Sequence, residues 1–209
     1  MKTNKKFEGI TTFGIDCDEV LRSLLDGMVS LYNENFNENL NRDDVKDFNV
    51  EVSFPKIKEE TGSTASDWFF QKHGNELFAK SPALPKIKES IDTLRQFGHV
   101  FIITYQKSLQ NKLDTLNWLS DNGIEYDGIC FVKNKTILHL DVLVDDNPWN
   151  FIGCNATEGA LITAPYNKDE DLEEIRAQSN CLSIKRYDSL EHFVRIYSVK
   201  AKLKSIKKD

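Results

Sequence analysis

The sequence predicts an α/β fold: a doubly wound parallel sheet with a small helical cap inserted after the first strand. Three observations carry this expectation. Short β-rich apolar runs alternate with segments of helical period along most of the chain. Several of those runs end in a carboxylate or a hydroxyl, as strands do when a site is built beyond their carboxyl ends. Residues 24–80 hold no run strong enough to join a central sheet, and long structureless loops are rare in compact domains.

The first run, 10–15, is rich in Ile, Thr and Phe and reads as a buried strand ending at Asp16-Cys17-Asp18-Glu19-Val20. A spacing of two in extended chain sends Asp16 and Asp18 to one side and Cys17 to the other. Residues 23–36 follow a helical period through Leu24, Leu25, Met28, Val29, Leu31 and Tyr32. From 37 to 81 Asn, Asp, Lys and Glu dominate, with short helical pieces expected over 42–48 and 64–72. Ser63 or Thr64 can cap the second, with Asp67 in its first turn. The cap is therefore expected over 24–80 and the core domain over 1–23 and 81–209.

Pro82 and Pro85 mark the return to the core. An amphipathic helix is expected over 84–97 on Leu84, Ile87, Ile91 and Leu94, with Gly98 as its C′ residue. A second strand follows over 99–104. Ser108 is placed to cap a helix through Asn122 carrying Leu109, Leu113, Leu116 and Leu119, closed by Gly123. Further strands are expected over 128–132, 142–144 and 159–163, and a last helix over 189–198 running toward the tail. The lysines at 200, 202, 204, 207 and 208 read as a solvated helix end or frayed tail.

At 209 residues the chain is long enough to bury a real core without a disulfide or metal staple. A net charge of −6, from 27 basic and 33 acidic residues, argues against a general nucleic-acid-binding surface. Cys17, Cys130, Cys154 and Cys181 form no CxxC pair and read as reduced thiols, not as a zinc site. Residues 1–6 lead into no long apolar stretch, and no run approaches membrane-spanning length. The expectation is a soluble, cytoplasmic protein with a small-molecule substrate and no membrane or nucleic-acid partner; a homodimer stays open.

Four signals converge at strand ends or the loops beside them. They are Asp16 with Asp18, then Thr104, then Lys133 and Lys135, then Asp145 with Asp146. Singly, each has an ordinary explanation: a turn or cap aspartate, a good β residue, a solvated lysine. Together they demand a cation or a shared proton. Two carboxylates about 4 Å apart repel by roughly 4 kcal/mol at an effective dielectric near 20, a large share of a domain's marginal stability. Oxygen-only ligands without a His or Cys cluster favour Mg²⁺. A hydroxyl and a lysine opposite such a cluster suit a phosphoryl group, whose charge must be held as it transfers.

In this combination and order the chain resembles the haloacid dehalogenase superfamily of phosphohydrolases. Asp16-Cys17-Asp18-Glu19-Val20 matches its D-x-D-x-[TV] first motif, Thr104 the strand-end second, a lysine the third and Asp145-Asp146 the fourth. Within it the chain is similar to the 5′(3′)-deoxyribonucleotidase family. Asn134-Lys135-Thr136 stands ten residues before Leu143-Val144-Asp145-Asp146-Asn147-Pro148, and Ala164-Pro165-Tyr166-Asn167 follows. The resemblance implies a core of haloacid dehalogenase type and Mg²⁺-dependent hydrolysis of a (deoxy)nucleoside monophosphate. It casts Asp16 as the nucleophile that forms an aspartyl-phosphate and Asp18 as the general acid and base. Thr104 and Lys135 would hold the phosphoryl oxygens, with Lys133 the rival lysine. Asp16, the Asp18 carbonyl and Asp145 would ligate the metal, with Asp146 behind them.

Trp68-Phe69-Phe70 is expected to wall a nucleobase, although three consecutive aromatics cannot all face one way on a helix. The chain departs from its relatives near the leaving group. Glu19 stands where most carry Gly, Tyr105 where the residue is small, and Leu24 where an aromatic is expected. Three alternatives remain: a sugar-phosphate or nucleic-acid-end phosphatase, a non-catalytic phosphate-binding relative, and a signalling receiver domain. The motif order disfavours the last, because there the paired acids come first and the lysine last.

Overall fold

The computed structural model describes residues 10–206. Segment 1–6 and Lys207 and Lys208, read above, lie outside the described residues, as does the side chain of Lys204. The elements in chain order are β1 (Thr11–Ile15), α1 (Leu24–Phe36), α2 (Val50–Ser53), α3 (Pro55–Thr61), α4 (Ala65–Asp67), α5 (Gly74–Lys80), α6 (Ile87–Leu94), β2 (Gly98–Thr104), α7 (Leu109–Asp121), β3 (Gly128–Phe131), β4 (His139–Asp145), β5 (Asn155–Ile162), α8 (Leu172–Ala177), β6 (Ser183–Tyr187) and α9 (Leu190–Ile206). All strands are parallel, in the order β3-β2-β1-β4-β5-β6. The order reverses between β1 and β4, where an open α/β sheet leaves a crevice outside its carboxyl ends.

The period-two alternation of the central strands sends side chains to two covered faces. Phe13, Ile15, Val100, Ile102, Val142 and Val144 pack on one face with Ile87 and Ile91 of α6 and Phe193 and Val194 of α9. Leu143, Leu161 and Ile184 face the other way, against Phe151 and Ile175 of α8. Register between β1 and β4 is pinned by side chains at their starts. Asp141 Oδ2 accepts from Thr12 N (2.8 Å) and Oγ1 (2.9 Å), and Asp141 N donates to Thr12 Oγ1 at 3.0 Å.

Within residues 24–80 the described elements are helices and short helical turns, with a separate apolar cluster. Leu25, Met28, Leu31, Tyr32 and Phe36 of α1 pack against Phe54, Ile57, Trp68, Phe69, Leu77 and Phe78. Thr64 caps α4, its Oγ1 accepting from Asp67 N at 3.0 Å. Trp68–Lys72 then continues as a π-helical turn. Among the described residues, no helix is long and apolar enough to cross a membrane.

Five expectations need correction. The helix expected over 84–97 is only Ile87–Leu94, and Gly98 is not its C′ residue but opens β2. A Cβ there would stand 1.9 Å from the Thr11 carbonyl, so close approach of β1, not a left-handed turn, requires glycine. In α7, capped by Ser108 and followed by Gly123 at φ 63°, Leu109 and Leu113 are exposed. The buried side chains are Asn111, Thr115, Trp118 and Leu119, because α5 packs on α7 and turns that face inward. The fourth strand begins at His139, three residues before its apolar run. Finally, α8 and the edge strand β6 lie outside the expected elements: Ser-Ile-Lys-Arg-Tyr carries two cations and, among the described residues, pairs only with β5.

Candidate active site

β1 and β4 pair with Ile15 opposite Val144, so each strand delivers its next residue to the same crevice. The Asp16 N–H donates to the Val144 carbonyl at 2.9 Å, which fixes Asp16 beside Asp145. Thr104 closes β2 on the other side of β1 and is buried at the cavity wall. Lys135 opens a 3₁₀ turn (Lys135–Ile137) capped by the Asn134 side chain, which accepts from Thr136 N. The turn points Lys135 inward. Its Nζ lies 2.8 Å from Asp16 Oδ1 and 2.6 Å from Asp145 Oδ2. Lys133 is exposed at the rim of the same cavity.

Asp16, Asp145 and Asp146 each bring a carboxylate oxygen within 4.8 Å of the others, all three buried. Asp145 is fully buried and also accepts from Asn150 Nδ2 at 3.0 Å and Asn147 N at 2.9 Å. Asp146 accepts a short hydrogen bond from the Tyr166 hydroxyl, while the Asn167 side-chain amide donates to its carbonyl at 2.6 Å. Asp146, expected behind the ligands, thus stands in one cluster with them. With all three ionised, the carboxylates against one ammonium would leave an excess of two negative charges.

The electrostatics follow from that excess. Burial, reinforced by the charges of Asp145 and Asp18, pushes Asp16 up to about 7 despite Lys135. Burial and the Asp145 charge likewise hold Asp146 well above the usual carboxylate range. Burial pulls Lys135 down, but Asp145 and Asp16 outweigh it and keep the ammonium charged. The donor set is oxygen only, buried and over-negative, which fits a hard divalent cation.

Asp18 lines the cavity but its side chain is engaged elsewhere. Oδ1 accepts from Arg22 Nε (2.8 Å) and Nη2 (2.6 Å), and Oδ2 from Gln106 Nε2 at 3.1 Å. Arg22 is fully buried, its guanidinium 4.0 Å from the centre of the Phe78 ring. Glu19 takes a left-handed φ of 59° and turns its buried carboxylate toward α1. Oε1 accepts from Leu25 N in the first turn of that helix, at 2.7 Å, and Oε2 makes a short bond with Arg42 Nη2. The residue that departs from the family's glycine is thus a helix cap and one end of a tether to 42–44.

Beyond the polar end, a cavity of about 450 Å³ is walled by Leu24, Met28, Phe48, Phe70, Tyr105 and Tyr166. Leu24 and Tyr105, read from the sequence as substrate-binding, line this cavity. Trp68 and Phe69 do not: Trp68 packs on Phe36 and His73, and Phe69 on Phe54, inside the cluster of 24–80. The π-helical turn rotates the three aromatics apart and presents Phe70 to the cavity. A neighbouring cleft of about 720 Å³ shares Phe70 and Tyr105 but touches none of the cluster carboxylates.

Arg22, Gln106, Arg42, Phe48, Asn150 and Tyr166 were not singled out from sequence as site residues. Only two had a local signal: Tyr166 in the Ala-Pro-Tyr-Asn stretch, and Arg22 four residues after Asp18.

Comparison with known proteins agrees with this geometry. Residues 10–183 match the family described as 5′ nucleotidase, deoxy (Pyrimidine), cytosolic type C protein. A 5′(3′)-deoxyribonucleotidase of Clostridium acetobutylicum is 30% identical over 164 residues, covering 77% of this chain and 86% of that protein. Among solved structures, a haloacid dehalogenase-like hydrolase from Streptococcus pneumoniae superposes with a TM-score of 0.58 at 14% identity, covering 90% of this chain and 99% of that one. The haloacid dehalogenase-type hydrolase YfnB of Bacillus subtilis, solved bound to magnesium, gives 0.55 at 13% identity, covering 90% and 98%. With its fold, its motif order and these matches, the chain belongs to the cytosolic type C 5′ nucleotidase (deoxy) family and is a phosphomonoester hydrolase of haloacid dehalogenase-like fold.

Proposed function

We propose that the protein is a Mg²⁺-dependent 5′(3′)-deoxyribonucleotidase that releases phosphate from (deoxy)nucleoside monophosphates through an aspartyl-phosphate on Asp16. One observation carries the reading. The over-negative cluster of Asp16, Asp145 and Asp146, with Lys135 among them, opens directly onto a cavity walled by aromatic and aliphatic side chains. The polar end suits a phosphoryl group and the apolar end a base.

In this reading Asp16 attacks phosphorus with the oxygen not held by Lys135, and Lys135 and Thr104 hold the phosphoryl oxygens as charge moves onto them. Asp18 gives its proton to the leaving oxygen, then takes one from the water that opens the acyl-phosphate. Arg22 and Gln106, bonded to its two oxygens, fix its direction for both steps. Asp16, Asp145, Asp146 and the Asp18 carbonyl are the groups to hold Mg²⁺. When bound, Mg²⁺ supplies the charge that lets two anions approach. Of the three aromatics read as the base wall, Phe70 keeps that role, joined by Tyr105, Phe48 and Tyr166 in place of Trp68 and Phe69, and 24–80 acts as the cap over the crevice.

The test is phosphate release across nucleoside monophosphates and simple sugar phosphates, with Mg²⁺ and with EDTA. Nucleotides are expected to be turned over only with Mg²⁺, and Asp16→Asn to abolish turnover while its circular dichroism stays that of the parent. Phe70→Ala is expected to cost about tenfold or more in kcat/KM on nucleotides, from a stacking contact of roughly 1–3 kcal/mol. Sugar phosphates should lose much less. Turnover of sugar phosphates with none of nucleotides would overturn the substrate assignment; near-normal activity of Asp16→Asn would overturn the mechanism.

A further inference from the structure

Cys154 and Cys181 lie 27 residues apart in sequence, yet their sulfurs are 3.2 Å apart, both side chains buried. Neither takes part in the chemistry above. Cys154 directly precedes β5, whose opposite end faces the site, and Cys181 stands shortly before β6. The pair therefore sits at the amino end of β5 and β6. The backbone around it is tied on both sides, Gly153 N donating to the Gln178 carbonyl (3.3 Å) and Leu182 N to the Thr157 carbonyl (2.9 Å). Both cysteines belong to one buried apolar cluster with Phe151, Ala156, Ile175 and Ile184.

We propose that Cys154 and Cys181 are an intramolecular modification site, a dithiol that closes to a disulfide when a hydroperoxide reaches it. A disulfide needs about 2.05 Å between sulfurs, so closure asks for the two sulfurs, 3.2 Å apart, to approach by roughly 1 Å. The chemistry balances with one hydroperoxide. The Cys154 sulfur attacks one peroxide oxygen, the O–O bond breaks, and the second oxygen leaves as water or alcohol with the thiol proton. The Cys181 sulfur then attacks the Cys154 sulfenic acid, the S–O bond breaks, and the oxygen leaves as water with the Cys181 proton. The two sulfurs together lose two electrons and the peroxide gains them. Either thiol can donate to the other; with Cys181 as the donor, the bond draws the Cys154 thiol down to about 7, which makes Cys154 the better first nucleophile, and Cys181 is pushed up. The product pins the edge strand β6 to β5, and the cross-link closes a loop long enough to stabilise the chain appreciably.

The experiment treats the full-length protein with hydrogen peroxide, blocks remaining thiols with iodoacetamide, and maps peptides by mass spectrometry. The expected result is a cross-linked peptide pair holding Cys154 and Cys181, lighter by two hydrogens and split by dithiothreitol. A reversible rise in Tm of roughly 5–10 °C should accompany it. Cys130→Ser should keep the cross-link and the Tm rise, whereas Cys154→Ser, Cys181→Ser and the apolar Cys154→Val should each lose both. Carbamidomethyl or sulfinic acid at both positions with no cross-link would overturn the proposal, as would a cross-link that leaves Tm unchanged. Phosphatase activity is not a readout, so the outcome is independent of the nucleotidase reading.

Discussion

Lys135 pairs with two of the three buried carboxylates, Asp16 and Asp145, and its own burial makes the arrangement costly to disturb. Lys135→Met removes the ammonium but keeps most of the volume, leaving Asp16 and Asp145 without their ion-pair partner. Breaking a buried ion pair from one side costs about 3–5 kcal/mol, so the metal-free variant is expected to lose that much in urea unfolding. Its kcat should fall by orders of magnitude even where Mg²⁺ restores the fold. Lys133, exposed at the rim, has no such partners in the cluster. Lys133→Ala should stay within about 0.5 kcal/mol of the parent and act mainly on KM. Equal, small effects from both would show that the buried lysine is not the one that acts on the phosphoryl group. The same scale explains how Asp18 is held. Arg22 grips one oxygen and Gln106 the other, a fork that fixes the orientation of the carboxylate at the cavity wall.

At the level of elements, the turn between β1 and α1 is shaped by Glu19. A left-handed residue other than glycine costs about 1–2 kcal/mol, and here the side chain offsets that cost by capping α1 and pairing with Arg42. Two substitutions separate the terms. Glu19→Ala keeps the strain and loses both contacts, so it should destabilise by about 2 kcal/mol. Glu19→Gly loses the same contacts but relieves the backbone, so it should be milder by about 1 kcal/mol. That difference is a Tm gap of roughly 2–4 °C in a chain of this size. Indistinguishable melting curves for the two variants would mean that φ at this position stores no strain. A second tether runs alongside: Lys168 Nζ lies 3.3 Å from Asp43, and the Phe48 and Tyr166 rings meet edge to face at 5.4 Å. The segment 42–48 is thus held to the loop that also supplies the Tyr166 bond to Asp146.

For the molecule as a whole, the cluster of excess negative charge couples stability to cation binding. A ligand that binds only the folded chain stabilises it by about 2.7 kcal/mol at a hundredfold excess over Kd. Saturating Mg²⁺ should therefore raise Tm by roughly 5–10 °C over the protein in EDTA. The sign of the pH dependence follows from Asp16 and Asp146, both raised by burial. Their protonated forms cannot ligate, and Asp16 takes up its proton as pH falls through about 7. The Mg²⁺-induced shift in Tm should thus be full near pH 8 and shrink steeply by about pH 5.5. A shift that is independent of pH, or absent throughout, would show that the cluster is not where the cation binds.

The chain by itself determined what depends on local pattern. Short apolar runs and helical periods marked five of the six strands and the main helices, because burial on both faces of a parallel sheet leaves a continuous apolar signature. The motif residues were legible for the same reason: a group beyond a strand's carboxyl end must follow that strand directly in sequence. So Asp16, Thr104 and Asp145 could be named before any coordinate. What lacked such a signature was decided only by packing. β6 is held by pairing to β5 at an edge, where cations are tolerated. Trp68 and Phe69 turned inward and Phe70 outward because a π-helical turn interrupts the α-helical period. Besides their local partners Arg22 and Leu25, Asp18 and Glu19 are held by Gln106 and Arg42, remote in sequence, through contacts that no spacing rule describes. Cys154 and Cys181, scattered in the sequence, meet because β5 and β6 run side by side and bring the starts of two separate strands together. Sequence periodicity records which face of an element is buried; which elements then touch is set by the crossovers that join them.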